Sequence, residues 1–176
     1  MRTLLWIVFL IVIAVMFQQE HAITSRSGHG TQWLEFVNAN EGKAIVCGWQ
    51  RICYGRGTLV NIARSVTNLD FLFILTYVCL MITRSYNQMQ RERWLFWNEL
   101  LRLNLILALL AGLLDVTENF ILLYDLRHLN DPGLYYTSYY VSLFKWILSG
   151  WIVLIWGVSV TRSGLGSKRA YAVSRA

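Results

Sequence analysis

Asp115, Glu118 and Asn119 fall in the stretch LLDVTENFILLYDL, residues 113 to 126, near the end of a long apolar run. Residues three and four apart share one face of a helix, so two carboxylates and a carboxamide would project together. At the centre of a membrane helix an ionised group costs roughly 2.5 to 3.5 kcal/mol, so these side chains are expected to meet polar partners rather than lipid. Lys145, in another apolar run, supplies a cation, and Asp70, in a third, supplies another carboxylate. The chemistry open to such a set is charge pairing between helices, proton or ion handling, or capture of a polar ligand group.

The expected network is centred on Asp115, Glu118 and Asn119 and closed by Lys145 and Asp70. Tyr77, two turns from Asp70, and Ser142 and Ser149, on the Lys145 face, would be secondary members, with Arg64 offsetting part of the acidic charge. Counting along helix axes places Asp70, Glu118 and Lys145 about 7 to 8 Å from their segment centres, all toward the same side. Upstream of Asp115 the same face reads Gly112, Ala111, Ala108 and Asn104, a small and polar stripe suited to close helix packing.

Other chemical signals are weaker. Ser142-Leu-Phe-Lys145 has the S-x-x-K spacing of serine acyl-enzymes, but no S-D-N or K-T-G partner follows. His21, His29 and His128 have no ligand spacing, and Cys47-x5-Cys53 lacks a nearby histidine pair. No catalytic residue, metal site or cofactor is therefore read. On a continuous helix Cys47 and Cys53 would point apart, so they bridge only if the helix breaks between them. Cys79 reads as packing.

These residues must be positioned by elements adapted to an apolar solvent. Of 176 residues, 56% are hydrophobic and 15% charged, against about 25% charged in soluble domains. The fold class read from this is all-α: a polytopic membrane four-helix bundle with a short helical periplasmic cap. Spans are expected at about 3–19, 62–83, 101–124 and 139–161, with the cap at 20–61, in a single membrane domain 1–176. The first segment also has the form of a signal peptide, but Glu20-His21-Ala22 is a poor cleavage site, which favours an uncleaved helix.

The formal charge of +6 is scattered over segment ends rather than gathered into a patch, which argues against a nucleic-acid partner. Instead it orients the chain. Nine basic residues, including Arg84, Arg91, Arg93, Arg162, Lys168, Arg169 and Arg175, fall on short segments of one side, against six on the longer loops of the other. Both termini are thus expected in the cytoplasm of a bacterial cell, with the protein in its inner membrane. Trp94, Phe96 and Trp97 would mark the inner interface, and Tyr135, Tyr136, Tyr139 and Tyr140 the outer one.

In the cap, TQWLEFVNA reads as a helix begun by Thr31, and Asn40 with Glu41 as the start of a second carrying Trp49. Neither is long enough for a core of its own. Trp33, Phe36 and Trp49 are expected to face lipid or the bundle. Asp131-Pro132-Gly133 is a turn signal.

Leu34-Glu35-Phe36, Trp49, DFLFILTY at 70–77, DVTEN at 115–119 and Lys145 together resemble a pattern in small bacterial four-helix integral membrane proteins. The resemblance implies a fold and a marked set of residues, but no activity. On this reading the chain is an accessory or scaffold subunit, surrounded by membrane lipids and packed against another membrane protein or itself. The alternative is a lipid or small-molecule binding or transport protein, or an intramembrane enzyme, using the pocket at Asp115, Glu118 and Lys145.

Overall fold

A computed structural model describes residues 2–128 and 135–173. The expected Asp131–Gly133 turn and Arg175 lie outside these, as do the side chains of Tyr135, Tyr136, Lys168 and Arg169. Among the described residues the regular structure is helical apart from one small hairpin. Helix α1 spans Arg2–Ser27, a 3-10 turn Thr31–Glu35, α2 Ala39–Arg51, strands β1 Cys53–Tyr54 and β2 Gly57–Thr58, α3 Leu59–Met89, α4 Leu95–Arg127 and α5 Tyr135–Val173.

Four helical stretches are long and apolar enough to cross a membrane: Thr3–Ser27, Leu59–Met89, Leu95–Arg127 and Thr137–Ser163. The helices outrun the apolar segments. At 1.5 Å per residue the 31 residues of α3 reach about 46 Å, against about 30 Å for a hydrocarbon core. Polar ends such as 20–27 of α1 continue the helix because nothing in them breaks it. Gly28 does, at φ 80, with its N–H bonded to Thr24 O at 2.9 Å.

Helix α4 packs on both α3 and α5, while α1 packs chiefly on α3. The α3–α4 pair runs antiparallel, as successive contacts show: Ser85 with Asn104, Tyr77 with Asp115, Asp70 with Asn119, and Arg64 with the Leu126 carbonyl. Close approach depends on small residues. Ala108 and Ala111 are buried, and a Cβ built on Gly112 would lie 2.6 Å from Val78 Cγ2. Asn104, fully buried, donates its amide to Ile152 O at 2.9 Å and so ties α4 to α5 as well.

Between α1 and α3 the chain departs from its expected course. Only Thr31–Glu35 coils, and as a 3-10 turn rather than a longer helix. Helix α2 is capped by Asn38, two residues before the expected start, because its side-chain oxygen accepts the Glu41 N–H at 3.0 Å. The helix ends between Cys47 and Cys53, yet both remain free thiols, Cys53 in an exposed hairpin turned by Gly55 at φ 57.

Trp49 is fully buried and donates its indole N–H to Ser27 Oγ at 2.9 Å. It joins Ile23, Leu34, Val46, Leu59, Val60 and Leu126 in one apolar cluster. The short elements thus share a core with the ends of α1, α3 and α4. Trp33 and Phe36 stay exposed.

Candidate functional site

Asp115, Glu118 and Asn119 rise from α4 where α1 and α4 finish and α3 and α5 begin. The helical spacing turns all three inward, and each is more than nine-tenths buried. Lys145, on α5, reaches them across the α4–α5 contact. Its Nζ lies 2.6 Å from Glu118 Oε2 and 3.1 Å from Asp115 Oδ1. The Asp115 contact is a hydrogen bond. The closer approach, to Glu118, is a buried ion pair in which the ammonium is the partner of Oε2.

From α3, the Tyr77 hydroxyl donates to Asp115 Oδ2 at 3.0 Å. Asp70, two turns nearer the helix start, accepts the Asn119 amide at 2.7 Å. The layer therefore divides into two linked parts. One is a charged cluster on Lys145; the other is Asp70, which accepts the neutral Asn119 amide.

Not every expected member joins. Arg64 directs its guanidinium to the Leu126 carbonyl at 2.6 Å, near the end of α4, rather than to a carboxylate of the acidic layer. Ser142, fully buried, bonds back to Ser138 O at 2.9 Å, the common fate of a mid-helix serine, and its hydroxyl also lies within hydrogen-bond reach of the Glu118 carboxylate, so it does join the cluster. Ser149 is half-buried and lines the adjoining cavity.

Two carboxylates arrive from outside the expected set. Glu35, on the 3-10 turn, brings Oε2 to 3.7 Å from Lys145 Nζ and accepts the Trp146 indole N–H at 3.0 Å. Glu20, on α1, accepts the backbone N–H of Thr31 at 3.1 Å and also its hydroxyl. Together they fasten the 30–36 segment to α1 on one side and α5 on the other. Their signal in the sequence was faint: Glu20 closes an apolar run, and Glu35, though part of the Leu34-Glu35-Phe36 motif of the resemblance, has no spacing that links it to α4.

Beneath this segment, between α1 and α5, lies a cavity of about 770 Å³. Because α1 packs chiefly on α3, the space beside α5 is not filled. One end is lined by Glu20, Glu35, Asp70, Asp115, Glu118 and Lys145. The other is lined by Phe9, Ile13, Met81, Ala108 and Ile152. In antiparallel helices these two sets fall at different heights, so the cavity is polar at one end and apolar along its length.

No family model, curated protein or solved structure matches this chain. The reading of the site rests on its own geometry.

A second cluster sits at the opposite end of the helices. Glu92, in the turn between α3 and α4, pairs with Arg162 at 3.1 Å and accepts the Ser159 hydroxyl at 3.0 Å. Gln88 donates to Ser159 and Ser163 at 3.1 and 2.9 Å. The Arg162 guanidinium lies over Trp94 and Trp97. Burial pushes the Glu92 carboxyl up, but the Trp94 N–H, the Ser159 hydroxyl and Arg162 outweigh it and hold it below its ordinary value. This cluster joins the α3–α4 turn to α5. Among the described residues no group of three or more His, Cys, Asp or Glu is placed to hold a metal ion.

Proposed function

We propose that this protein binds one amphiphilic molecule, a lipid or lipid-like metabolite, in the cleft between α1 and α5. The observation that carries the reading is the two-ended lining of the cavity: carboxylates and Lys145 at one end, Phe9, Ile13, Met81 and Ile152 along the rest. Ligand sites are mostly apolar with a few convergent polar groups, and a volume near 770 Å³ lies within their usual range of about 300 to 1,000 Å³. A merely structural polar layer has no need of an adjoining space of that size.

In this proposal the four apolar helices form a bundle in a bacterial inner membrane. The basic residues near Arg84, Arg91 and Arg93 face the cytoplasm, and residues 28–58 form the periplasmic cap. The ligand head then lies under the cap. An accessory subunit seated on another membrane protein is the second reading, favoured by the exposed aromatic and aliphatic face of α5 at Phe144, Trp151 and Leu154.

Native mass spectrometry after extraction in a mild detergent tests the proposal. A single small amphiphile retained by the native chain and lost in Ile13→Trp, which fills the apolar end, is the expected result. A stoichiometric protein partner with no retained or bindable amphiphile would overturn it in favour of the second reading.

A further inference from the structure

Charge around the cavity is unequal: among the described residues five carboxyl side chains line it against the one ammonium of Lys145. Lys145 lies against three of them, Asp115, Glu118 and Glu35. The two others have neutral hydrogen-bond partners, Asn119 for Asp70 and Thr31 for Glu20. Away from bulk water a carboxylate facing only neutral donors favours an approaching cation strongly.

A second feature points the same way. Asp70, Phe73 and Tyr77 follow one another along one face of α3, and all three line the cavity. The Phe73 and Tyr77 rings lie 5.3 Å apart and Phe9 stacks on Phe73 at 5.5 Å, so the cavity wall that continues from Asp70 along α3 is aromatic. Aromatic faces attract ammonium groups through the ring quadrupole and offer nothing to an anion.

We infer that the ligand's head carries a positively charged nitrogen, held by Asp70 and Glu20 over the Phe73–Tyr77 face, with a single apolar tail running toward Phe9 and Ile152. Lys145 then serves to neutralise Asp115, Glu118 and Glu35 rather than to receive an anionic head. The inference rests on the amphiphile-binding reading above and specifies its ligand class.

Three probes with the same C18 tail separate the alternatives: oleylamine, oleyl alcohol and oleate, titrated against the full chain in detergent and followed by native mass spectrometry. Oleylamine is expected to bind about tenfold tighter than oleyl alcohol, the size of one charge-assisted contact. That preference should fall at least severalfold in Asp70→Asn, which keeps a carbonyl facing Asn119. Glu20→Gln, whose amide oxygen still reaches Thr31, gives the same readout independently should Asp70→Asn fold poorly. Equal binding of amine and alcohol, tighter binding of oleate, or a preference unchanged in both variants overturns the cationic head while leaving the cleft as an amphiphile site. Failure of all three probes to bind overturns both.

Discussion

Lys145 Nζ lies 3.1 Å from Asp115 Oδ1, joining α5 to α4 in a place where both side chains are at least nine-tenths buried. Tyr77 bonds the other oxygen of the same carboxylate, so one aspartate draws α3, α4 and α5 together. Removing one partner of a buried pair leaves the other charged with nothing to face.

Lys145→Met should therefore destabilise the protein by about 3 to 5 kcal/mol. The double variant Lys145→Met/Asp115→Asn should recover part of that loss. Thermal unfolding in one detergent measures both. A neutral single variant would show that the pair holds nothing together.

At Gly112 the helices α3 and α4 meet without room for a side chain, since an added Cβ would lie 2.6 Å from Val78 Cγ2. Gly112→Ala is expected to cost about 1 to 3 kcal/mol through overpacking, despite the better helix propensity of alanine. Val78→Ala in the same chain should relieve it. If Gly112→Ala were stabilising, the helices would not approach as closely as described.

Glu92 gives the pH dependence a sign. Its folded pKa is lowered from 4.5, so its contribution is present above the ordinary carboxyl value and is lost as pH falls through the lower folded one. The native chain should be more stable than Glu92→Gln at pH 7 by about 1 kcal/mol, because Arg162 is about a third exposed and solvent screens the pair. Stability curves of the two should draw together as pH falls from the ordinary carboxyl value and meet below the lowered folded pKa of Glu92. A gap that widened in acid would contradict the assignment.

The orientation proposed for the helices is open to impermeant thiol labelling in intact cells. Gln90, exposed in the α3–α4 turn, replaced by Cys in a chain without Cys47, Cys53 and Cys79, should resist the reagent until the cells are broken. The native Cys53, exposed at the other end, should label readily. The reverse pattern would invert the topology.

Helical periodicity is local, and it made much of this arrangement legible in advance. Four apolar runs separated by polar segments specify helices, and the three- and four-residue spacings alone put Asp115, Glu118 and Asn119 on the face that continues through Gly112, Ala108 and Asn104. Cost did the rest, since charged groups within apolar helices demand partners. Which partners they find was a matter of tertiary packing. Lys145 meets Asp115 across 30 residues of chain, whereas Arg64, an equally plausible cation by position, is drawn to a backbone carbonyl at the end of α4. Glu35 reaches Trp146 across 111 residues because the 3-10 turn folds over α5, and Glu20 reaches Thr31 because Gly28 turns the chain back on α1. The cavity has no sequence signature at all. It exists because α1 settles against α3 and leaves its flank toward α5 open, and only the relative placement of helices distant in the chain decides that.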